Sequence, residues 1–239
     1  MRTIVHLSIA AIFTLAAEQP AAAQADLSGV WMRQQPGNSF SDAPPPAMTA
    51  WAAERFGLNK PTVGPNASLA ANDPTLECNP PGLPYVLAVP TPFELVHTPQ
   101  GVIQLFEYNH FVRRIHTDGR SHPEDLRATG MYEWLGYSTG RWDGDTLVVD
   151  TIGFNDATWL DRLGHPHSTE LQVVERIRRV DGHTLHYTVT ITDPKAYAEP
   201  WTGRMVFTLR PRWEILEHVC TTHGEAYREY KNRAWQPAK

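Results

Sequence analysis

One strand-turn-strand pattern occurs twice in this chain, and it commits that part of the molecule to antiparallel β structure. Arg141-Trp142-Asp143-Gly144-Asp145-Thr146-Leu147 returns 38 residues later as Arg179-Val180-Asp181-Gly182-His183-Thr184-Leu185. Asp-Gly between apolar runs is a strong hairpin signal, because tight hairpin turns need positive φ. In the second copy, a three-residue loop Asp181-Gly182-His183 pairs Val180 with Thr184. Leu171, Val173, Glu175 and Ile177 then share a face with Leu185, Tyr187, Val189 and Ile191. A two-residue loop would split those apolar rows between opposite faces, so patterning selects the bulged register. Gln172, Arg176, Arg178, His186, Thr188 and Thr190 fall on the other face.

The same β signal extends over most of the chain. Asp26–Gln34 reads as a first strand, and its Gly29-Val30-Trp31 has the G-x-W form found near the start of lipocalin-like barrels. After Pro92, nine further runs separated by turn signals follow: Phe93–Thr98, Val102–Tyr108, Phe111–Thr117, Trp134–Trp142, Thr146–Ile152, Thr169–Val180, Thr184–Thr192, Trp201–Arg210 and Trp213–Cys220. The expected fold is all-β, an antiparallel up-and-down barrel of about ten strands. Between Asp42 and Pro92 lie 11 of the 20 prolines, with one short helical window at Met48–Phe56. Trp51, Phe56, Leu83, Tyr85 and Leu87 give this stretch apolar anchors, so 35–92 is expected to wrap an ordered core. The organisation expected is an export signal over 1–25 and one barrel domain over 26–239. That domain divides into the Pro-rich wrap, a strand meander over 93–220 and a tail over 221–239.

The export signal rests on Arg2, the apolar stretch Ile4–Ala17 and the small-residue run Ala21-Ala22-Ala23-Gln24-Ala25. The apolar run falls short of the ~20 residues that a membrane-spanning helix needs. Localisation is therefore expected to be periplasmic or secreted, without stable membrane insertion. A net charge of −5 with scattered basic residues argues against nucleic acid as a partner. Cys78 and Cys220 are the two cysteines, and in an oxidising compartment such a pair is expected to bond. Two free thiols or a metal pair are the alternatives.

Several stretches resemble a family of exported bacterial proteins of uncharacterised activity. They are Arg114–Arg120 (RIHTDGR), Gly140–Asp156 (GRWDGDTLVVDTIGFND) and Thr158–Ser168 (TWLDRLGHPHS), extended by Glu175-Arg176, Asp193–Tyr197 and Pro200-Trp201. The resemblance implies one shared design, expected to be lipocalin-like, and it brings no activity with it.

Strict up-and-down alternation sorts the connections by end. The tight turns at Asn109-His110, Asp143–Asp145, Asp181–His183 and Pro211-Arg212 share one end. The connections Asp118–Glu133, Gly153–Ser168 and Asp193–Pro200 share the other, where they should frame an open mouth. At that mouth, Gly164-His165-Pro166-His167-Ser168 carries two imidazoles at i, i+2, a spacing that suits one divalent metal. Glu170 is one residue too close to complete a cupin-like ligand set. Acid/base use of His165 or His167, or a structural clamp, are the other readings. Asp156, and Asp150 at the mouth end of its strand, are the candidate carboxylates. Trp159, Tyr197 and Trp201 are the candidate walls for an aromatic or sugar-like small molecule, and Arg114 is placed to hold an anionic group. Glu175 stands in an apolar row and must be paired, with Arg113, Arg114 or Arg204 as partner, unless it serves the substrate.

There is no G-x-S-x-G elbow, P-loop, dinucleotide fingerprint or HExxH motif. The expected function is an exported small-molecule enzyme with proton-transfer chemistry of the lyase, isomerase or hydratase kind. The enzyme is expected to be cofactor-free or assisted by a divalent metal. The alternative is a non-catalytic carrier of an apolar or aromatic small molecule.

Overall fold

The structure is a computed structural model that describes residues 25–126, 130 and 132–220. The expected export signal, apart from Ala25, and the expected 221–239 tail lie outside the described residues. Among the described residues nine strands follow one another in chain order: β1 Gly29–Arg33, β2 Phe93–Thr98, β3 Gly101–Phe106, β4 Val112–His116, β5 Tyr137–Asp143, β6 Thr146–Ile152, β7 Gln172–Arg179, β8 Thr184–Thr192 and β9 Trp201–Leu209. Each pairs with the next, and β9 pairs with β1, so the sheet closes into a barrel. One helix, α1 (Ala50–Leu58), lies in the wrap.

The β7–β8 hairpin has the register that the pattern selects. Val173 faces Ile191, Glu175 faces Val189 and Ile177 faces Tyr187, while Val180 N–H donates to Thr184 O at 3.0 Å. That face is fully buried, and Arg176, Arg178 and His186 point outward and are exposed. Alternation works the same way round the barrel and fills its interior with Trp31, Phe93, Phe106, Tyr187 and Phe207. Phe93 sits edge-on to Phe207 at 5.0 Å and to Tyr187 at 6.3 Å, which packs the aromatic rings as interlocked edges and faces.

The tenth expected strand, Trp213–Cys220, is irregular chain. Closure explains why: once β9 pairs with β1, no sheet edge is left for another strand. Trp213, Leu216 and Val219 are accordingly exposed, and the segment is fixed by other means. Cys220 is bonded to Cys78 of the wrap, 142 residues earlier, and its N–H donates to Asn109 Oδ1 at 2.6 Å.

A second departure concerns chain direction. Every ladder is antiparallel except β4–β5, which is parallel and only two residue pairs long, Ile115 with Ser138 and His116 with Thr139. The connection from Thr117 to Gly136 therefore starts at one end of the barrel and finishes at the other, and it does not return to frame a mouth. The 107–111 turn consequently lies at the same end as 153–171 and 193–200, opposite the Asp143–Thr146 and Val180–Thr184 turns. We call that first end the upper end. The crossover is seated there by Leu126, which occupies the space a side chain on Gly153 would need; a Cβ on Gly153 would come within 2.3 Å of the Leu126 side chain.

So short a parallel ladder leaves the β4–β5 joint poor in backbone bonds, and a buried side chain ties it. Arg113 on β4 points into the barrel and uses all five of its N–H donors. Nε donates to Ser138 Oγ of β5 at 2.9 Å, and Nη2 to Thr151 Oγ1 of β6 at 2.8 Å. Nη1 donates to Gln104 Oε1 of β3 at 3.1 Å and to Glu175 Oε1 of β7 at 3.0 Å, and Nη2 reaches Glu175 Oε2. Tyr187 O–H completes the cluster on Glu175 Oε1 at 2.5 Å. Burial opposes the charge on Arg113, and the Glu175 carboxylate outweighs it and raises the guanidinium pKa. Burial and the same carboxylate push the Tyr187 phenol far up, so it stays a donor. Of the three arginines expected as partners for Glu175, Arg113 is the one that pairs; Arg114 and Arg204 are exposed on the outer face.

Removing one member of a buried ion pair leaves the other charge uncompensated, at a cost of about 3–5 kcal/mol. Glu175→Gln is therefore expected to lower the unfolding free energy in urea by that amount, whereas Arg204→Gln changes it by less than ~0.5 kcal/mol.

Candidate functional site

The upper end carries most of the residues singled out from the sequence, and it is a packed lid, not an open mouth. Trp159, Tyr197 and Trp201 are 5%, 3% and 3% exposed. The 153–168 loop folds back on itself: Trp159 pairs with Pro166 across a short antiparallel bridge, and Leu160 N–H donates to His165 O at 2.8 Å. Ser168 fastens this loop to the next one, its N–H and Oγ donating to the Asp193 carboxylate at 2.6 and 2.8 Å. Tyr197 O–H donates to Pro166 O at 2.9 Å. The wrap closes over both loops. Thr49 caps α1 by accepting from Ala52 N–H at 3.2 Å and donates its hydroxyl to Lys195 O at 2.6 Å. At the other end of the helix, Asn59 Nδ2 donates to Gly164 O at 2.7 Å.

His165 and His167 are built into this lid. His165 Nδ1 meets Asp161 Oδ2 at 2.7 Å, and the ring stacks on Phe56 of α1 at 5.0 Å with Trp201 edge-on at 5.1 Å. His167 Nδ1 bonds Ser168 O at 3.1 Å, and its Nε2 is buried with no hydrogen-bond partner among the described residues. Burial holds the His167 ring below the ordinary imidazole pKa. The two rings share no hydrogen-bond or ring partner, and among the described residues no three His, Cys, Asp or Glu groups are placed to hold a metal ion. The carboxylate that accompanies His165 is Asp161, where Asp156 or Asp150 was expected. Asp156 is exposed on the loop. Asp150 lies on the outer face of β6, where Gln172 Nε2 donates to it at 2.8 Å and His122 Nε2 of the crossover lies 3.3 Å away. Glu175 is inside the barrel, on Arg113, so Asp150 and Glu175 face opposite sides of the wall.

The concavity with the chemistry lies on the flank, at the β4–β5 joint. Above the two-pair ladder, β4 and the chain leading into β5 separate, leaving a cleft of about 690 Å3, within the ~300–1,000 Å3 range of small-molecule sites. Phe111, Tyr132, Trp134 and Tyr137 supply its aromatic walls, and Arg113 and Ser138 lie at its floor. Thus the buried polar cluster reaches the cleft through the two residues that hold the joint. Arg114 and His116, alternate outward residues of β4, also line it.

Arg114 has no hydrogen-bond or ion-pair partner among the described residues. His116 stacks on Tyr137 with ring centroids 5.2 Å apart, and among the described residues no hydrogen bond occupies either of its ring nitrogens. Burial, helped by the guanidiniums of Arg120 and Arg114, lowers its pKa below the ordinary 6.5 against the pull of Asp118, leaving a neutral imidazole at pH 7. Arg120 is forked onto Asp118, with Nε 2.9 Å from Oδ1. A free guanidinium, an unprotonated imidazole and a phenol thus stand together beside an aromatic wall. That arrangement can hold a carboxylate, accept a proton and return one.

Of the residues expected at a site, the structure brings only Arg114 to this cleft. His116, Tyr137, Trp134 and Phe111 were missed. His116 lies in the RIHTDGR segment, two residues beyond Arg114 and so on the same strand face, a signal available in the alternation alone.

Fold and site together define a closed nine-stranded barrel with a sealed upper end and a lateral aromatic cleft. No family model, curated protein or solved structure matches the chain.

The lid histidines are expected to matter for stability. His165→Ala takes the imidazole from the buried Asp161 Oδ2 while Oδ1 keeps the Leu163 N–H, a loss of roughly 1–3 kcal/mol, and each kcal/mol lowers Tm by ~2–4 °C in a domain of this size. Calorimetry should show that drop while ligand binding in the flank cleft is unchanged. His167, neutral in the fold, binds its proton more readily when unfolded, so its contribution is present above pH 6.5 and lost as the pH falls below it. Unfolding free energy measured from pH 7.5 to 5 should fall less steeply in His167→Gln than in the parent.

Proposed function

We propose that this protein is a small-molecule enzyme of the proton-transfer kind, a lyase or isomerase, working in the flank cleft. Its substrate is an organic acid with an aromatic or sugar-like body. The observation that carries the proposal is Arg114, without a partner among the described residues, beside the neutral His116 at the edge of an aromatic wall. Proton removal from the carbon next to a carboxylate needs a cation for the charge that develops on the carboxylate oxygens, a base, and an acid for the departing group. Arg114 supplies the first, His116 the second and Tyr137 the third. The carrier reading is weaker, because side chains of Trp31, Phe93, Phe106, Tyr187 and Phe207 fill the barrel interior where an apolar cargo would sit.

Export belongs to the same proposal. The Cys78–Cys220 bond fits an oxidising compartment, and no helix among the described residues is long and apolar enough to cross a membrane. Membership of the exported family whose motifs the sequence resembles is proposed on the same footing. The GRWDGDTLVVDTIGFND segment forms the second half of β5, all of β6 and the start of the lid loop, so the motif is mostly architecture.

The first test is a titration of isotope-labelled protein with phenylacetate and with galacturonate, followed by NMR. Shifts confined to β4, the 132–138 segment and Trp134 are expected. Shifts confined to the lid, or none with either acid, would overturn the proposal. For an acid that turns over, His116→Gln should lower kcat by about 100-fold or more with KM within a few-fold, and Arg114→Ala should raise KM. The parent's kcat/KM should fall on the acid side of pH 6.5 as His116 takes up a proton.

A further inference from the structure

A second concavity, of about 460 Å3, lies on the other side of Arg114 and His116. It runs over the lower part of β3 and β4, where Ile103 stands opposite Arg114 in the ladder, and the β2–β3 turn closes its end. Beyond Arg114 and His116, its polar lining comes from Thr98, Gln100 and Arg120, and among the described residues no Phe, Tyr or Trp contributes. Among the described residues, Arg114 and His116 alone line both concavities, so they form a ridge with an aromatic cleft on one side and a polar groove on the other. A single-ring acid held on Arg114 would fill one side and leave the other to water.

We infer that the site takes a two-part acid, a 4-linked uronide, whose carboxylate rests on Arg114 while one sugar ring lies in the aromatic cleft and the next in the polar groove. This rests on the reading of the flank cleft as the substrate site. A pyranose ring presents an apolar C–H face that suits Trp134 and Tyr132, and its hydroxyls suit Thr98, Gln100 and Arg120. The base then stands below the linkage between the two rings, where the reaction needs it.

In the reaction, His116 takes the proton from C5, the carbon that bears the carboxylate. The C–H electron pair forms the C4=C5 double bond, and the C4–O bond breaks with its electrons going to the oxygen. Tyr137 protonates that oxygen, and the proton on His116 returns to Tyr137 through solvent. The products are an unsaturated uronide and a sugar with a free hydroxyl. Neither water nor a redox partner is consumed.

Calorimetric titration of the full-length protein with digalacturonate, galacturonate and cellobiose tests the inference. Digalacturonate is expected to bind at least tenfold more tightly than galacturonate, and cellobiose, which has two rings and no carboxylate, not measurably. The double variant Thr98→Ala, Gln100→Ala should lower digalacturonate affinity to the level of galacturonate and leave galacturonate affinity unchanged. Incubation with digalacturonate should release a product with the ultraviolet absorbance of a conjugated unsaturated acid, and His116→Gln should lose it. Equal affinity for the two uronates, cellobiose binding as well as digalacturonate, or binding of none of the three would overturn the two-part uronide. Galacturonate affinity that survives Arg114→Ala would instead overturn the flank site itself.

Discussion

The closure of the barrel depends on how one buried guanidinium is satisfied. Eight of the nine joints round the barrel are antiparallel ladders; the ninth, between β4 and β5, has two parallel residue pairs. Arg113 stands inside that joint and reaches β3, β5, β6 and β7 at once through Gln104, Ser138, Thr151 and Glu175. A charge in such a place is tolerable only if it is paired and its remaining donors are used, and both conditions hold. Apolar side chains of equal volume could fill the space. They would not bond to Ser138 on the far side of the joint.

The same weakness produces the cleft. Strands that pair for two residues and then separate leave a gap in the wall, and the crossover that the parallel direction demands supplies the gap with Tyr132 and Trp134. His122 Nε2 holds that crossover against the barrel through Thr139 Oγ1 and Asp150 Oδ2, each 3.3 Å away, and Glu133 bridges to Phe154. The upper end has the opposite character. Ser168–Asp193, Tyr197–Pro166, His165–Asp161 and the α1 cap satisfy most of its polar groups internally, the buried His167 Nε2 apart, and little is left over to meet a ligand. Long ordered loops at a barrel end are often a site, but here their length goes into sealing the barrel.

Where local chemistry decided the outcome, the sequence was legible. The β7–β8 register follows from apolar parity and an Asp-Gly turn, and the wrap's anchors Leu83, Tyr85 and Leu87 are buried as their type suggests. Glu175 in an apolar row announced a buried partner. Arg113 carries the matching signal, since it shares parity with buried Ile115 while Arg114 alternates outward. The direction of β5 was not legible, because the segment from Thr117 to Gly136 is long enough either to return or to cross. That single ambiguity placed the 107–111 turn at the wrong end and hid the flank cleft. His165 and His167 have ligand-like spacing, but spacing does not report that Asp161 and Phe56 already enclose one of the rings.

Residue-resolved amide hydrogen exchange in Ser138→Ala tests the central claim, that Arg113 ties a joint the backbone leaves weak. The variant removes the acceptor of Arg113 Nε on β5 and leaves every ladder intact. Faster exchange is expected at the β4–β5 joint, at Ile115, His116 and Thr139, with the β7–β8 hairpin from Val173 to Ile191 protected as in the parent. Equal acceleration in all nine strands, or no change at the joint, would contradict it.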